Sequence, residues 1–179
     1  MSVLAAESRK QECTIVGEDL GTVPPGFRER MARARIFSCR LLYFERENGA
    51  FRDPAAYPKD SVASTGTHDL PPLLGFWDDL SEGDRSLLCN ALACRPNPDA
   101  LELETAAYRT LGRAASRMVL LQMEDAMLGR EPVNVPGTTS EQPNWRRKLP
   151  AGLEELQADA AFATISAALR ASRAGKEHP

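Results

Sequence analysis

Two short apolar runs, each stopping at a carboxylate and leading into prolines, constrain this chain more than any other feature. The first is "IVGEDLGTVPPG" at 15–26, where the run "TIVGE" (14–18) stops at Glu18-Asp19. The second is "SVASTGTHDLPP" at 61–72, where a β-branched run ends at His68-Asp69. Each run is short and bounded by turn residues, so each reads as a buried strand. Between them, "PPGFRERMARA" (24–34) reads as a helix opened by prolines, with Phe27 and Met31 on one face. A further strand is expected in "FSCRLLYFE" (37–45), followed by a turn-rich loop at 48–60. Strand, helix, strand, loop, strand is the alternation of an α/β sheet with mostly parallel strands.

The rest of the chain fits that scheme. Residues 3–11 suit a short helix. Residues 71–115 read as mainly helical, interrupted near Ser81-Gly83 and at "RPNPD" (95–99). "RMVLLQ" (117–122) suits either an extension of the preceding helix or a fourth strand. The segment 127–150 holds four prolines and no long periodic run. An irregular loop of that length in a compact domain is often functional. The last helix is expected at about 153–173, with Leu156, Phe162, Ile165 and Leu169 on one face, and 174–179 as a disordered tail. Residues 1–173 are thus expected to form one unit.

Length, charge and cysteine use exclude several classes. The 179 residues suffice for one domain with a core. A net charge of −3 gives no reason to expect nucleic acid, and "NWRRK" (144–148) reads better as a Trp anchoring the loop or an Arg paired to an acid. No run approaches the ~20 apolar residues of a membrane span. The N-terminal stretch becomes charged where a secretory leader becomes apolar, so a cytoplasmic protein is expected. Cys13, Cys39, Cys89 and Cys94 form no C-x-x-C pair, and only His68 and His178 could join them. Free, packed thiols are expected, with no metal and no organic cofactor.

In parallel α/β folds, active sites lie at the C-terminal ends of strands. Two carboxylates at one such rim can divide labour. One holds a proton and acts as an acid; the other stays ionised and stabilises developing positive charge. Glycosidic bond cleavage needs both, because its transition state resembles an oxocarbenium ion. Glu18 follows its strand directly and has the longer reach, so it is the better acid. His68 could donate to a sugar hydroxyl. Structural alternatives stay open here. Asp19 and Asp69 each precede a Pro-started segment and could cap a helix. Glu18 could be a satisfied buried carboxylate, and His68 a hydrogen-bonded core residue. His68 and Asp69, if extended, point to opposite faces.

At these motifs the chain resembles 4-α-glucanotransferases of the amylomaltase (disproportionating enzyme) family. The resemblance rests on "VGEDLGTVP" (16–24), "LLYFE" (41–45), "PAAYP" (54–58), "TGTHDLPPLLGFW" (65–77) and "EPVNVPGTTSEQPNWRRKLP" (131–150). It extends back through "LAAESRKQECTIVGEDLG" (4–21), so it covers nearly the whole chain, with its motifs in family order. It implies a (β/α)₈ barrel that cuts an α-1,4-glucan, holds the donor covalently and passes it to another glucan's 4-hydroxyl. By position, Glu18 matches the general acid/base. Asp69 matches the transition-state-stabilising aspartate, with His68 beside it as a sugar ligand. Asp19, Asn134, Pro136, Gly137 and Thr138 match positions near the sugar, and Asn144, Trp145 and Arg146 the segment that supports it. The family's nucleophilic aspartate, in an Arg-x-Asp-His type motif on an earlier strand, has no counterpart here. A full barrel takes ~250 residues. The resemblance therefore implies a C-terminal portion, about strands five to eight, whose partner is the missing N-terminal half. Alone it is expected to be inactive, with unpaired strand edges and an open apolar face. The alternatives are a non-catalytic glucan-binding or assembly module, and a plain helical interaction protein.

Overall fold

The computed structural model describes residues 1–174. The tail expected at 174–179 lies, from 175 on, outside the described residues. The centre is a four-stranded parallel sheet of β1 (Val16–Gly17), β2 (Phe37–Leu41), β5 (Ser61–Ser64) and β6 (Met118–Val119), in that spatial order. A two-stranded antiparallel hairpin, β3 (Arg46–Glu47) and β4 (Ala50–Phe51), begins between the strand expected to end at 45 and the loop expected at 48–60 and runs into that loop. The strand expected at 37–45 therefore stops at Leu41, and a turn follows in which the Phe44 and Glu45 amides donate to the Leu41 carbonyl. The ambiguous 117–122 segment supplies the fourth strand: Met118 pairs with Val62, and Val119 with Ala63.

Side chains alternate across this sheet, and the two faces differ. Gly17 faces the helix α2 (Phe27–Arg33), where an added Cβ would lie 2.6 Å from Met31 Cε. Its neighbours Val16 and Glu18 point the other way and are exposed. Ala63 and Val119 pack into the main core, whereas Met118 and Leu120 are exposed. One face is thus covered by helices and the other carries exposed apolar side chains.

Helix boundaries follow capping chemistry. The break near Ser81 separates α3 (Leu73–Asp79) from α4 (Glu82–Leu92), and the Ser81 hydroxyl accepts from the Asp84 amide. The break at 95–99 ends at Asp99, whose carboxylate accepts from the Glu102 amide and opens α5 (Ala100–Gly112). The single helix expected at 153–173 is two, α7 (Leu153–Ala158) and α8 (Ala160–Arg173), because Asp159 caps the second through the Phe162 amide. Two further helices are α1 (Ser2–Lys10), with no buried residue, and the short α6 (Met123–Ala126). Helices α5 and α8 cross closely. A Cβ on Gly112 would lie 2.5 Å from Ser172, and Ile165, Tyr108 and Leu111 are fully buried nearby in the core. All four cysteines are free, Cys13 exposed and Cys89 buried. No helix of the described residues is long and apolar enough to cross a membrane.

Candidate active site

Parallel pairing puts every strand's C-terminal end on one rim. Glu18 leaves β1 directly onto this rim, on the face away from α2, and its side chain is exposed. The buried-carboxylate alternative for Glu18 is thereby removed. Its charge, after burial and the charge of Asp19, helps push the Cys39 thiol above its usual range.

Asp19 differs from both readings made of it. It does not cap α2, which opens at Phe27 behind a left-handed Gly26. Its side chain is fully buried rather than open on the rim. Its Oδ1 accepts from the Cys39 amide at 2.8 Å. Its Oδ2 accepts from Arg28 Nε at 2.7 Å and from Arg40 at 3.3 Å. Burial alone raises an acid's pKa. Here the Arg28 hydrogen bond, the Cys39 amide and the charges of Arg40 and Arg28 outweigh it and hold the Asp19 carboxyl below the usual range. Asp19 ties β1 to β2 and α2 directly beneath the point where Glu18 emerges.

The second motif is built differently. β5 ends at Ser64, and residues 65–72 form a turn before α3. Asp69 does not cap α3, which follows Pro72. The extended geometry expected at His68-Asp69 is absent. The turn brings His68 Nε2 to 3.5 Å from Asp69 Oδ1, with both side chains partly exposed. His68 is therefore no core histidine.

The 127–150 loop folds onto this turn. Asn134 donates from Nδ2 to Asp69 Oδ1 at 2.6 Å, and its amide donates to the His68 carbonyl at 3.1 Å. Asn144 organises the loop, accepting from the Val135 amide at 3.0 Å and donating to Thr138 Oγ1 at 2.8 Å. Pro136 and Gly137 form its exposed tip, where Gly137 takes φ 83°, a conformation glycine adopts without strain. Trp145 is exposed, and its ring lies 5.3 Å from that of His68. The anchor of the loop is thus Asn144, while Trp145 stands beside the turn. Arg147 pairs with Glu131 at 3.0 Å, as an Arg-to-acid reading anticipated. Thr67, His68, Gln122 and Val133 line a cavity of about 200 Å³. Adjacent strands lie about 4.8 Å apart, so β1 and β5, two places apart, set the two motifs on the order of 10 Å from each other at the strand ends.

Comparison with known proteins fits this geometry to a family. The family model for 4-alpha-glucanotransferase matches residues 1–154. The chain belongs to that family. It is 32% identical to the 4-alpha-glucanotransferase of Haemophilus influenzae over 92% of the chain and 28% of that protein. It is 31% identical to the Mycobacterium tuberculosis 4-alpha-glucanotransferase over 96% of the chain and 29% of that protein. The chain therefore spans under a third of the length of these curated relatives. Among solved structures it is similar to an amylomaltase from Corynebacterium glutamicum, with a TM-score of 0.79 over 93% of this chain, 30% of that one and 21% identity. It is also similar to an amylomaltase from Streptococcus agalactiae in complex with acarbose, with a TM-score of 0.75 over 97% of this chain, 35% of that one and 19% identity. At those identities the structures establish the fold alone. The matched residues 1–154 include both rim motifs and most of the loop at 127–150.

Proposed function

We propose that this chain supplies two of the three carboxylates of a retaining α-1,4-glucan transfer. Glu18 is the acid/base, protonating the leaving 4-oxygen and then deprotonating the incoming 4-hydroxyl. Asp69 stays ionised against the distorted sugar ring. His68, Asn134, Pro136 and Gly137 border the sugar. The observation that carries this reading is the tether of Asp69 by Asn134, on the same rim where Glu18 emerges exposed. A carboxylate needed as a charge is held in one orientation, and one needed for proton transfer stands free. Asp19 takes no part in binding and serves as the buried support of Glu18.

The sheet is read as strands five to eight of a (β/α)₈ barrel. Its strands lie in chain order without the reversal of a doubly wound sheet, which supports that reading. Its exposed apolar face is then the barrel interior, met by residues outside these 179, which also bring the nucleophilic aspartate. The reaction is assigned to the cytoplasm and needs no cofactor. The purified chain alone is expected to show no disproportionation of maltotriose.

The test uses the chain combined with the nucleophile-bearing half. Glu18→Gln removes the proton donor, so glycosylation by a natural donor should slow by about 10²–10⁴-fold. An α-glycosyl fluoride needs little protonation and should restore that step in Glu18→Gln. It should not restore it in Asp69→Asn, whose lost charge no leaving group replaces. Equal rescue of both variants, or rescue of Asp69→Asn alone, would sink the assignment. Glucan affinity without turnover in the combined protein would favour a binding module instead.

A further inference from the structure

The turn that carries His68 and Asp69 is fastened at both ends by one buried carboxylate that no reading of the sequence singled out. Asp125, on α6, is fully buried. Its Oδ1 accepts from the Leu73 amide at 2.8 Å, where α3 begins. Its Oδ2 accepts from the Thr65 hydroxyl at 2.6 Å, just after β5. Thr65 and Leu73 are the two feet of the turn, and His68 and Asp69 stand between them. Two further donors complete the site: the Tyr108 hydroxyl at 2.6 Å and Gln122 Nε2 at 3.3 Å. Every partner is a donor, which matches a group that only accepts.

The surroundings make this fastening specific. Burial, the charge of Asp125 and their hydrogen bond push the Tyr108 hydroxyl well above its usual range, so it remains a donor. Burial, followed by the charge of Asp125, does the same to the Glu104 carboxyl. No cation is paired with Asp125 among the described residues, so the four donors carry its stabilisation. On the turn's other side, Tyr43 stacks on Phe76 at 3.8 Å between centroids and donates to the Pro71 carbonyl at 3.2 Å. The turn thus has a rigid flank and a two-point base.

We propose that Asp125 is the positioning residue for the His68-Asp69 turn, acting through Thr65 and Leu73 and touching no substrate. This deepens the reading of Asp69 given above and rests on it. The geometry itself is measurable without glucan or turnover. Trp145 is one of two tryptophans and lies beside His68, so in a Trp77→Phe background its emission reports where the turn stands. Adding His68→Ala to that background defines the signal of a lost contact. Asp125→Asn replaces one of the two acceptor oxygens with an NH₂ group that faces donors. It should move Trp145 emission most of the way to the His68→Ala value, at sub-micromolar concentration and with helical circular dichroism retained.

Tyr108→Phe is the control for a merely structural role. It removes a buried hydrogen bond from the same carboxylate but leaves both feet fastened. It should lower stability comparably and leave the emission near that of the parent. Should Asp125→Asn not fold, Thr65→Val carries the test. It removes one foot only and should give a partial shift. An unmoved emission in the folded Asp125→Asn chain overturns the proposal. So does an unmoved Thr65→Val, or a Tyr108→Phe shift as large as that of Asp125→Asn. Failure of the catalytic reading is told apart by the fluoride experiment, which does not involve Asp125.

Discussion

The two rim motifs look alike in sequence and are built in opposite ways. At Glu18-Asp19, strand alternation continues through the pair. Glu18 is therefore exposed, and Asp19, one residue on, is buried under two arginines and an amide. At His68-Asp69 the strand has already ended at Ser64, and a turn brings both side chains to the same side. The first motif is stiffened from beneath by charge. The second is held at its base by Asp125 and from above by Asn134. The difference suits the two chemical tasks. A proton-transfer group needs freedom to approach two oxygens in turn, whereas a stabilising charge needs a fixed place.

The largest expected effect separates the two members of the first motif. Asp19→Asn leaves Arg40 buried beside a neutral amide, with Glu45 at 3.4 Å as its remaining ion partner. Breaking a buried pair this way costs about 3–5 kcal/mol. Glu18→Gln, on the exposed side, should change stability by no more than about 0.5 kcal/mol. Urea denaturation followed by far-ultraviolet circular dichroism measures both. Similar losses in the two variants would break the inside-outside contrast.

The pH dependence sharpens the same point. The Asp19 carboxyl is depressed in the folded chain, so its contribution is complete above the unfolded value of about 4. It is lost as pH falls through the folded value. The wild-type chain should therefore lose stability steeply below about pH 4, and Asp19→Asn should lose less over that interval. A stability difference between the two that stays constant from pH 6 to pH 3 would contradict this account.

Next in size is a pair of glycines, one beneath each motif. A Cβ on Gly66 would lie 2.8 Å from the Tyr43 ring, which is pinned by stacking on Phe76. A Cβ on Gly17 would lie 2.6 Å from Met31 Cε, the far end of a flexible side chain. Overpacking against a fixed ring costs about 1–3 kcal/mol, so Gly66→Ala should be clearly destabilising. Gly17→Ala should be nearly neutral, since Met31 can turn aside and alanine restricts the unfolded chain by about 0.4–1 kcal/mol. Equal effects would mean that both motifs rest on equally rigid ground.

Much of the fold could be read from the sequence because it depends on local chemistry. The helix breaks at Ser81 and Asp99 are caps whose partners lie three residues on. The parallel sheet followed from short bounded runs alternating with a Pro-started helix. What escaped was set by distant partners. Asp19 could not be seen as buried, because its arginines come 9 and 21 residues later. Asp125 meets Thr65 across 60 residues, and nothing near "MEDA" marks it as anything but a helix start. The His68-Asp69 geometry was misjudged because the strand was expected to run to Thr67, three residues too far. Asn134, by contrast, is singled out only by the resemblance, and the structure adds what it touches.

The smallest expected effect concerns that contact. Asn134→Ala removes the donor to Asp69 but keeps its own amide bonded to the His68 carbonyl. The Asp69 side chain is partly exposed, so water replaces much of what is lost, and global stability should fall by about 1 kcal/mol or less. The change should be concentrated in the loop, because Asn134 joins the loop to the turn by a side chain only here. A loss of about 1 kcal/mol raises the open population of the loop about fivefold, and limited trypsinolysis at Arg146, Arg147 and Lys148 should accelerate in proportion. Glu18→Gln should leave that cleavage rate unchanged, since among the described residues Glu18 makes no hydrogen bond or ion pair to the loop. If Asn134→Ala instead unfolds the chain as far as Asp19→Asn does, the second motif is held as rigidly from above as the first is from beneath. The division between a free acid and a tethered charge then loses its structural basis.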